Sequence, residues 1–310
     1  MMRANRGREN PHPLVGRRLG VVGRAGSGRT TLAVLLAREL TKRGYQVCFL
    51  EADARSAGSY RAFGLNTPPE PLLEFLAEEG VGGPLSKVPY GDQEIQPPVP
   101  VALADLPETV LGRTEEGIAF LSLERARLTE PEYGQAPVWA PRDLRIEGDR
   151  ENPVTLIKLE ASPQAPSPDL LASLDWVLVV VDPSFYSVDL ATEMGERVVQ
   201  IQKESAAGTE ALEPTPGGDP QGSTFGEGHH MGILAVLNHI PDPETEQFFV
   251  TAISQQAHIQ PIGAIREDWE MSDAGLHGRP VPEHKAEARV RKLLDRIEES
   301  ESHFLSETMA

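Results

Sequence analysis

Nine residues, Gly23-Arg24-Ala25-Gly26-Ser27-Gly28-Arg29-Thr30-Thr31, combine glycines, cations and hydroxyls at a spacing suited to holding a phosphate group. Gly23, Gly26 and Gly28 allow successive backbone N–H groups to converge on an anion, and a helix opening at Thr30 would add the positive end of its dipole. In loops built this way a lysine after the last glycine reaches the β- and γ-phosphates, and the hydroxyl that follows ligates Mg2+. Here the hydroxyl is present as Thr30, but the cation is Arg29, and Arg24 stands at a second cation position. Arginine grips phosphate oxygens in two places, yet its planar fork is bulkier than an ammonium and fits a lysine-shaped slot poorly. Phosphate binding is therefore expected to survive the exchange better than turnover does. The plainer alternative is a glycine-rich turn without a ligand.

What favours the first reading is the element on either side. An apolar run at 19–22 reads as a strand, and Leu32, Leu35, Leu36 and Leu40 fall at helical spacing over 30–43. Gly44 and the run Gln46-Val47-Cys48-Phe49-Leu50 complete a βαβ unit, whose right-handed crossover makes the two strands parallel. Further strands are expected at 154–159, 176–181, 232–237 and 262–265, with helices at 188–203, 243–257 and 283–299. This alternation predicts an α/β fold, a mostly parallel sheet with helices on both faces in three layers. Residues 80–153, rich in Gly, Pro and charge, read as a long excursion with at most short elements such as 117–123. Residues 204–230 hold no Lys or Arg and little apolar surface, and read as a disordered insertion. The expected organisation is a loose basic arm at 1–16, one domain over 17–300 and a tail at 301–310.

Composition excludes several classes. Acidic residues outnumber basic ones 47 to 29, a formal net charge of -18 that repels nucleic acid and anionic lipid. The single cysteine, Cys48, lies in an apolar run, so an internal disulfide and a cysteine-rich metal site are both ruled out. The basic first residues lack an apolar segment after them and do not read as a secretory signal. No run is long enough to span a bilayer. A cytoplasmic location, without nucleic-acid or membrane partners, is the expectation.

On these residues the loop resembles the deviant Walker A motif, K-G-G-x-G-K-T-T, of the MinD/ParA class of P-loop ATPases. The resemblance implies the P-loop NTPase fold, ATP or ADP with Mg2+ as cofactors, and contacts to nucleotide from Gly23 through Thr31. Arg24 takes the place of the extra lysine that in the family reaches across a homodimer to the partner's nucleotide. The segment L-E-A-D-A-R resembles the family's D-A-D-P, so that Glu51, with Thr30, would support Mg2+ partly through water and Asp53 would orient the attacking water. Two carboxylates at i and i+2 on an extended segment do share a face. Asn238, in A-V-L-N-H-I-P-D, matches the base-contacting position. Later segments look most like the CooC-type proteins that mature the nickel site of carbon monoxide dehydrogenase, which implies a metalloenzyme or redox client.

Three departures stand out. Lys158 falls where the Walker B aspartate belongs, leaving Glu160 and Asp182 as candidates, with a strand-end or capping role as the alternative for Asp182. The C-x-C pair that CooC-type proteins use for metal is missing, and both loop lysines are arginines. Two functions follow: an ATP-binding switch or slow ATPase, or a scaffold or regulatory subunit that kept the fold and lost the nucleotide. Other candidates have plainer readings. His229-His230 reads as solvated linker, His239 and His277 stay unassigned, Cys48 reads as a small buried hydrophobe, and the helix at 283–299 reads as packing on the sheet rather than on a membrane.

Overall fold

A computed structural model describes residues 12–53, 58–79, 99–123, 144–160, 168–210, 231–256, 258–283 and 285–308. The run W-V-L-V-V-V forms β8 (Trp176–Val181), buried at every position. Its side chains alternate between two cores: Val177, Val179 and Val181 enter one, and Trp176, Leu178 and Val180 the other. That is the two-residue period of a strand covered on both faces. β8 pairs in parallel with β1 (Arg18–Gly23) and β9 (Gly232–Ile240). β7 (Val154–Lys158) lies between β1 and β2 (Val47–Glu51), and β10 (Gln260–Arg266) flanks β9. With β5 (Ala119–Ser122) parallel to β2 and β4 (Gly112–Arg113) antiparallel at the edge, the order is β10-β9-β8-β1-β7-β2-β5-β4. β3 (Val99–Ala102) and β6 (Leu144–Glu147) form a separate parallel pair.

Helices cover both faces, as expected. On one, α1 (Arg29–Lys42) contributes Leu32, Leu36 and Leu40, and α8 (Glu287–Thr308) contributes Val290, Leu293, Leu294 and Ile297. On the other lie Leu171 of α4 (Pro168–Ala172), Val188 and Met194 of α5 (Phe185–Glu210), and Phe249 and Ile253 of α6 (Pro243–Ser254). Each such side chain contributes about 1.5–3 kcal/mol by leaving water. Short helices α2 (Ser59–Ala62), α3 (Leu72–Glu78) and α7 (Trp269–Leu276) complete the chain.

Several boundaries move. α5 runs on through 204–210, the first part of the segment expected to lack structure. Its Glu and Ala residues suit a helix, and extending a helix costs far less than nucleating one. Residues 211–230 lie outside the described residues. The excursion supplies β4 and β5 to the main sheet, because Ile118, Ala119, Phe120 and Leu121 are buried there. The expected tail belongs to α8: Trp176 Nε1 donates to Glu301 Oε2 at 2.6 Å, and Arg17 pairs with its other oxygen at 2.7 Å. The end of the expected arm also packs, with Leu14 buried and Gly16 N donating to Asn152 O at 3.0 Å. α8 faces the sheet with the apolar residues named above, although Ala288 is exposed. Among the described residues no helix is long and apolar enough to cross a membrane.

Candidate functional site

β1 ends at Gly23 and α1 begins at Arg29, so the glycine-rich loop joins the sheet's carboxyl edge to a helix N-terminus. Gly26 and Gly28 adopt φ of 82° and 91°, a region that costs an L-residue about 1–2 kcal/mol. At Gly28 a Cβ would also lie 2.0 Å from Asn238 Nδ2, whereas at Gly26 it would meet nothing within 4 Å. No side chain caps α1, and its first turn carries no acidic residue. Its first N–H groups and its dipole are therefore left for an external acceptor. Ser27 N donates to Arg24 O at 3.2 Å to tighten the turn, while Ser27 Oγ is buried with no hydrogen-bond partner. Ala25 and Gly26 are exposed, and Arg24, Gly28, Thr30 and Thr31 are half-buried. These features fit a phosphate group.

The two arginines face their own chain. Arg29 is buried, pairs with Asp53 Oδ2 at 3.1 Å and donates to the Leu159 carbonyl. Burial lowers its pKa although Asp53 and Glu160 oppose the shift, and a guanidinium stays charged nonetheless. Arg24 pairs with Asp182 Oδ2 at 2.7 Å. Burial pushes the Asp182 carboxyl up, but hydrogen bonds from Ser187 and Ser184 and the Arg24 guanidinium hold it below its usual value. Ser184 Oγ in turn accepts from Ser187 N at 3.3 Å, an N-cap on α5. Asp182 is thus a strand-end group that orients α5 and Arg24. Glu160, the other Walker B candidate, acts on Arg29.

Around Thr30 the arrangement departs most from the resemblance. Parallel register sets Lys158 of β7 beside Glu51 of β2. The Lys158 Nζ donates to Glu51 Oε1 at 3.1 Å and to Ser59 Oγ at 3.0 Å, and lies 3.9 Å from Asp53 Oδ2. Glu51 Oε1 also accepts from Ser59 Oγ at 2.6 Å and Ser59 N at 3.3 Å, and Ser59 Oγ is 3.4 Å from Thr30 Oγ1. Glu51, Asp53, Lys158 and Arg29 are all buried, two negative charges against two positive ones. These residues do not fit Mg2+ at Thr30 and Glu51. An ammonium already holds the carboxylate, and a like charge about 4 Å away costs on the order of 4 kcal/mol per unit charge at an effective dielectric of about 20. Glu51 and Asp53, expected beside the metal and the attacking water, are each paired with a buried cation of this chain.

Asn238 lies within β9, buried, and donates through Nδ2 to Ser27 O at 2.8 Å, so it braces the loop. His239, with φ of 56°, comes to the same place: its Nε2 is 3.2 Å from where a Gly28 Cβ would sit. His277 Nδ1 pairs with Asp273 Oδ1 at 3.0 Å on an exposed helix end. Cys48 is in the core, and burial pushes its thiol up to about 12. His229-His230 lies outside the described residues. Ser59, which links Lys158, Glu51 and Thr30, went unread in the sequence; its only signal is a hydroxyl following Gly58 at the start of a short helix.

No family model matches the chain. An uncharacterized ATP-binding protein of Methanocaldococcus jannaschii is 26% identical over 259 residues, 84% of this chain and 77% of that protein. Among solved structures, the MinD cell division protein of Aquifex aeolicus superposes with a TM-score of 0.55 at 17% identity, covering 91% of this chain and 96% of that one. A ParA family ATPase from Chlorobium tepidum TLS gives 0.53 at 14% identity, covering 89% and 96%. The septum site-determining protein MinD complexed with Mg-ADP, from Pyrococcus horikoshii OT3, gives 0.51 at 16% identity, covering 91% and 95%. With its strand order, its loop between β1 and α1 and these superpositions, the chain has the fold of the MinD/ParA class of P-loop ATPases.

Proposed function

We propose that the protein binds ATP or ADP through the loop at 23–31 and acts through its bound state, with hydrolysis slow or absent. The observation that carries this reading is the uncapped N-terminus of α1 behind a loop whose glycines hold left-handed geometry. An anion there would supply the missing cap. The ATP-binding relative supports the choice of nucleotide. Arg24, 41% exposed at its side chain, is the cation placed to exchange Asp182 for a phosphate oxygen. Because Asp182 also bonds Ser184 and Ser187 at the start of α5, that exchange would be felt by α5. This gives a nucleotide-dependent switch.

Slow turnover follows from the buried charges, since the Asp53 carboxylate is engaged by Arg29 and Lys158 rather than turned to a water. Homodimerisation and a metalloenzyme or redox client enter the proposal from the family resemblance. Any soft-metal chemistry would belong to the client, as the only thiol of this chain is buried. The second reading, a scaffold without nucleotide, is favoured by Arg29, whose guanidinium is engaged by Asp53 and Leu159.

Calorimetric titration of the purified chain with ATP separates the two, with Gly26→Asp as control, which sets a carboxylate on the exposed loop. Saturable binding lost in the control supports the switch; no heat at millimolar ATP from folded protein refutes it. Arg29→Lys is expected to leave hydrolysis at background, because Lys158 still neutralises the carboxylates.

A further inference from the structure

The loop leaves the N-terminus of α1 uncapped, while an ammonium occupies the carboxylate beside Thr30. We propose that the Lys158 ammonium is the resident cation of this site and that the chain binds the nucleotide polyphosphate without Mg2+. The inference rests on the nucleotide-binding reading above.

Four observations converge on Lys158. Its side chain is 2% exposed, so the charge cannot swing out to solvent without unpacking β7. The ammonium reaches the carboxylate assigned to the metal by resemblance, Glu51, at 3.1 Å, and the one assigned to the attacking water, Asp53, at 3.9 Å. Glu51 Oε1 already accepts three hydrogen bonds, from Lys158 and from the N and Oγ of Ser59. Ser59 Oγ lies between the ammonium, at 3.0 Å, and the Thr30 hydroxyl, at 3.4 Å. The chain thereby connects an internal cation through one hydroxyl to the residue at the mouth of the phosphate loop.

Mg2+ demands near-ideal octahedral oxygen ligands at about 2.0–2.1 Å and keeps several waters. A tethered ammonium with three donors asks for none of that. With Arg29 on Asp53, each of the two carboxylates has a buried cation partner before any ligand arrives. A divalent ion at Glu51 would have to displace the ammonium or share the carboxylate with it, whereas a metal-free polyphosphate meets the loop N–H groups and Arg24 without disturbing those pairs. The ligand class is therefore the free nucleoside triphosphate or diphosphate anion, and magnesium competes for it rather than assisting.

The test is ATP titration of the full chain by calorimetry, once in excess EDTA and once in excess Mg2+. Equal or tighter binding in EDTA is expected. Binding that weakens about ten-fold or more in EDTA overturns the proposal while leaving the nucleotide reading intact. Absence of saturable binding in both buffers overturns the two together. The wild-type comparison needs no variant, and Lys158→Met adds a second arm. With Glu51 and Asp53 facing Arg29 alone, that variant is expected to lose affinity in EDTA by about ten-fold or more and to regain it with Mg2+. Lys158→Met protein that folds and binds ATP alike in both buffers contradicts the assignment.

Discussion

Removing the Lys158 charge is the sharpest probe of the buried cluster. Lys158→Met keeps most of the side-chain volume and deletes the ammonium that donates to Glu51 and Ser59. Breaking a buried ion pair by removing one partner costs about 3–5 kcal/mol, because the other charge is left uncompensated. Glu51 retains two donors from Ser59, and Asp53 retains Arg29 at 3.1 Å. The expected loss therefore lies at the low end, about 3 kcal/mol, or a fall in melting temperature of roughly 5 °C for a chain of this size. Urea unfolding followed by circular dichroism reads it, in the absence of nucleotide. The double variant Lys158→Met/Glu51→Gln should recover a large part of the loss, a coupling of about 2 kcal/mol. A single-variant loss below about 1 kcal/mol, the value of an exposed pair, with additive behaviour in the double variant, would refute the claim that these charges are buried against each other.

Gly26→Ala is expected to cost about 1–2 kcal/mol from backbone strain alone, and Gly28→Ala clearly more, since its Cβ also meets Asn238 Nδ2; paired thermal melts check the order. The Asp182 carboxyl is held below its ordinary value, so its contribution to stability is complete above the unfolded value of about 4 and is lost as pH falls through the lower folded one. Asp182→Asn should accordingly flatten the acid limb of urea midpoints measured between about pH 2 and pH 6. Truncation after Ser300 leaves the Trp176 indole N–H without Glu301 and is expected to destabilise the fold by about 1–3 kcal/mol, measurable by the same unfolding assay.

Much of the fold could be read along the chain because the signals are local. The run at Trp176–Val181 is apolar at every position, as suits a short strand covered on both faces. The leucines of α1 keep helical spacing, and the three loop glycines announce a turn feeding a helix dipole. Where reading failed, the deciding partner was distant in sequence. Residues 301–308 look like a polar tail until Glu301 is seen beneath Trp176, 125 positions away. β5 looks like part of an irregular excursion until β2 offers it an edge.

The same division runs through the site. Residue types by themselves determined that a phosphate could be cradled at 23–31 and that no thiol would hold metal, because backbone freedom and side-chain chemistry belong to each residue where it stands. The family resemblance set Lys158 where a Walker B aspartate was expected. Only the tertiary structure decided what that lysine does. The parallel register of β7 against β2 sets it beside Glu51, 107 residues away, and burial turns that adjacency into a fixed pairing. A charge removed from water must find its opposite, and which opposite it finds is decided by packing rather than by order along the chain.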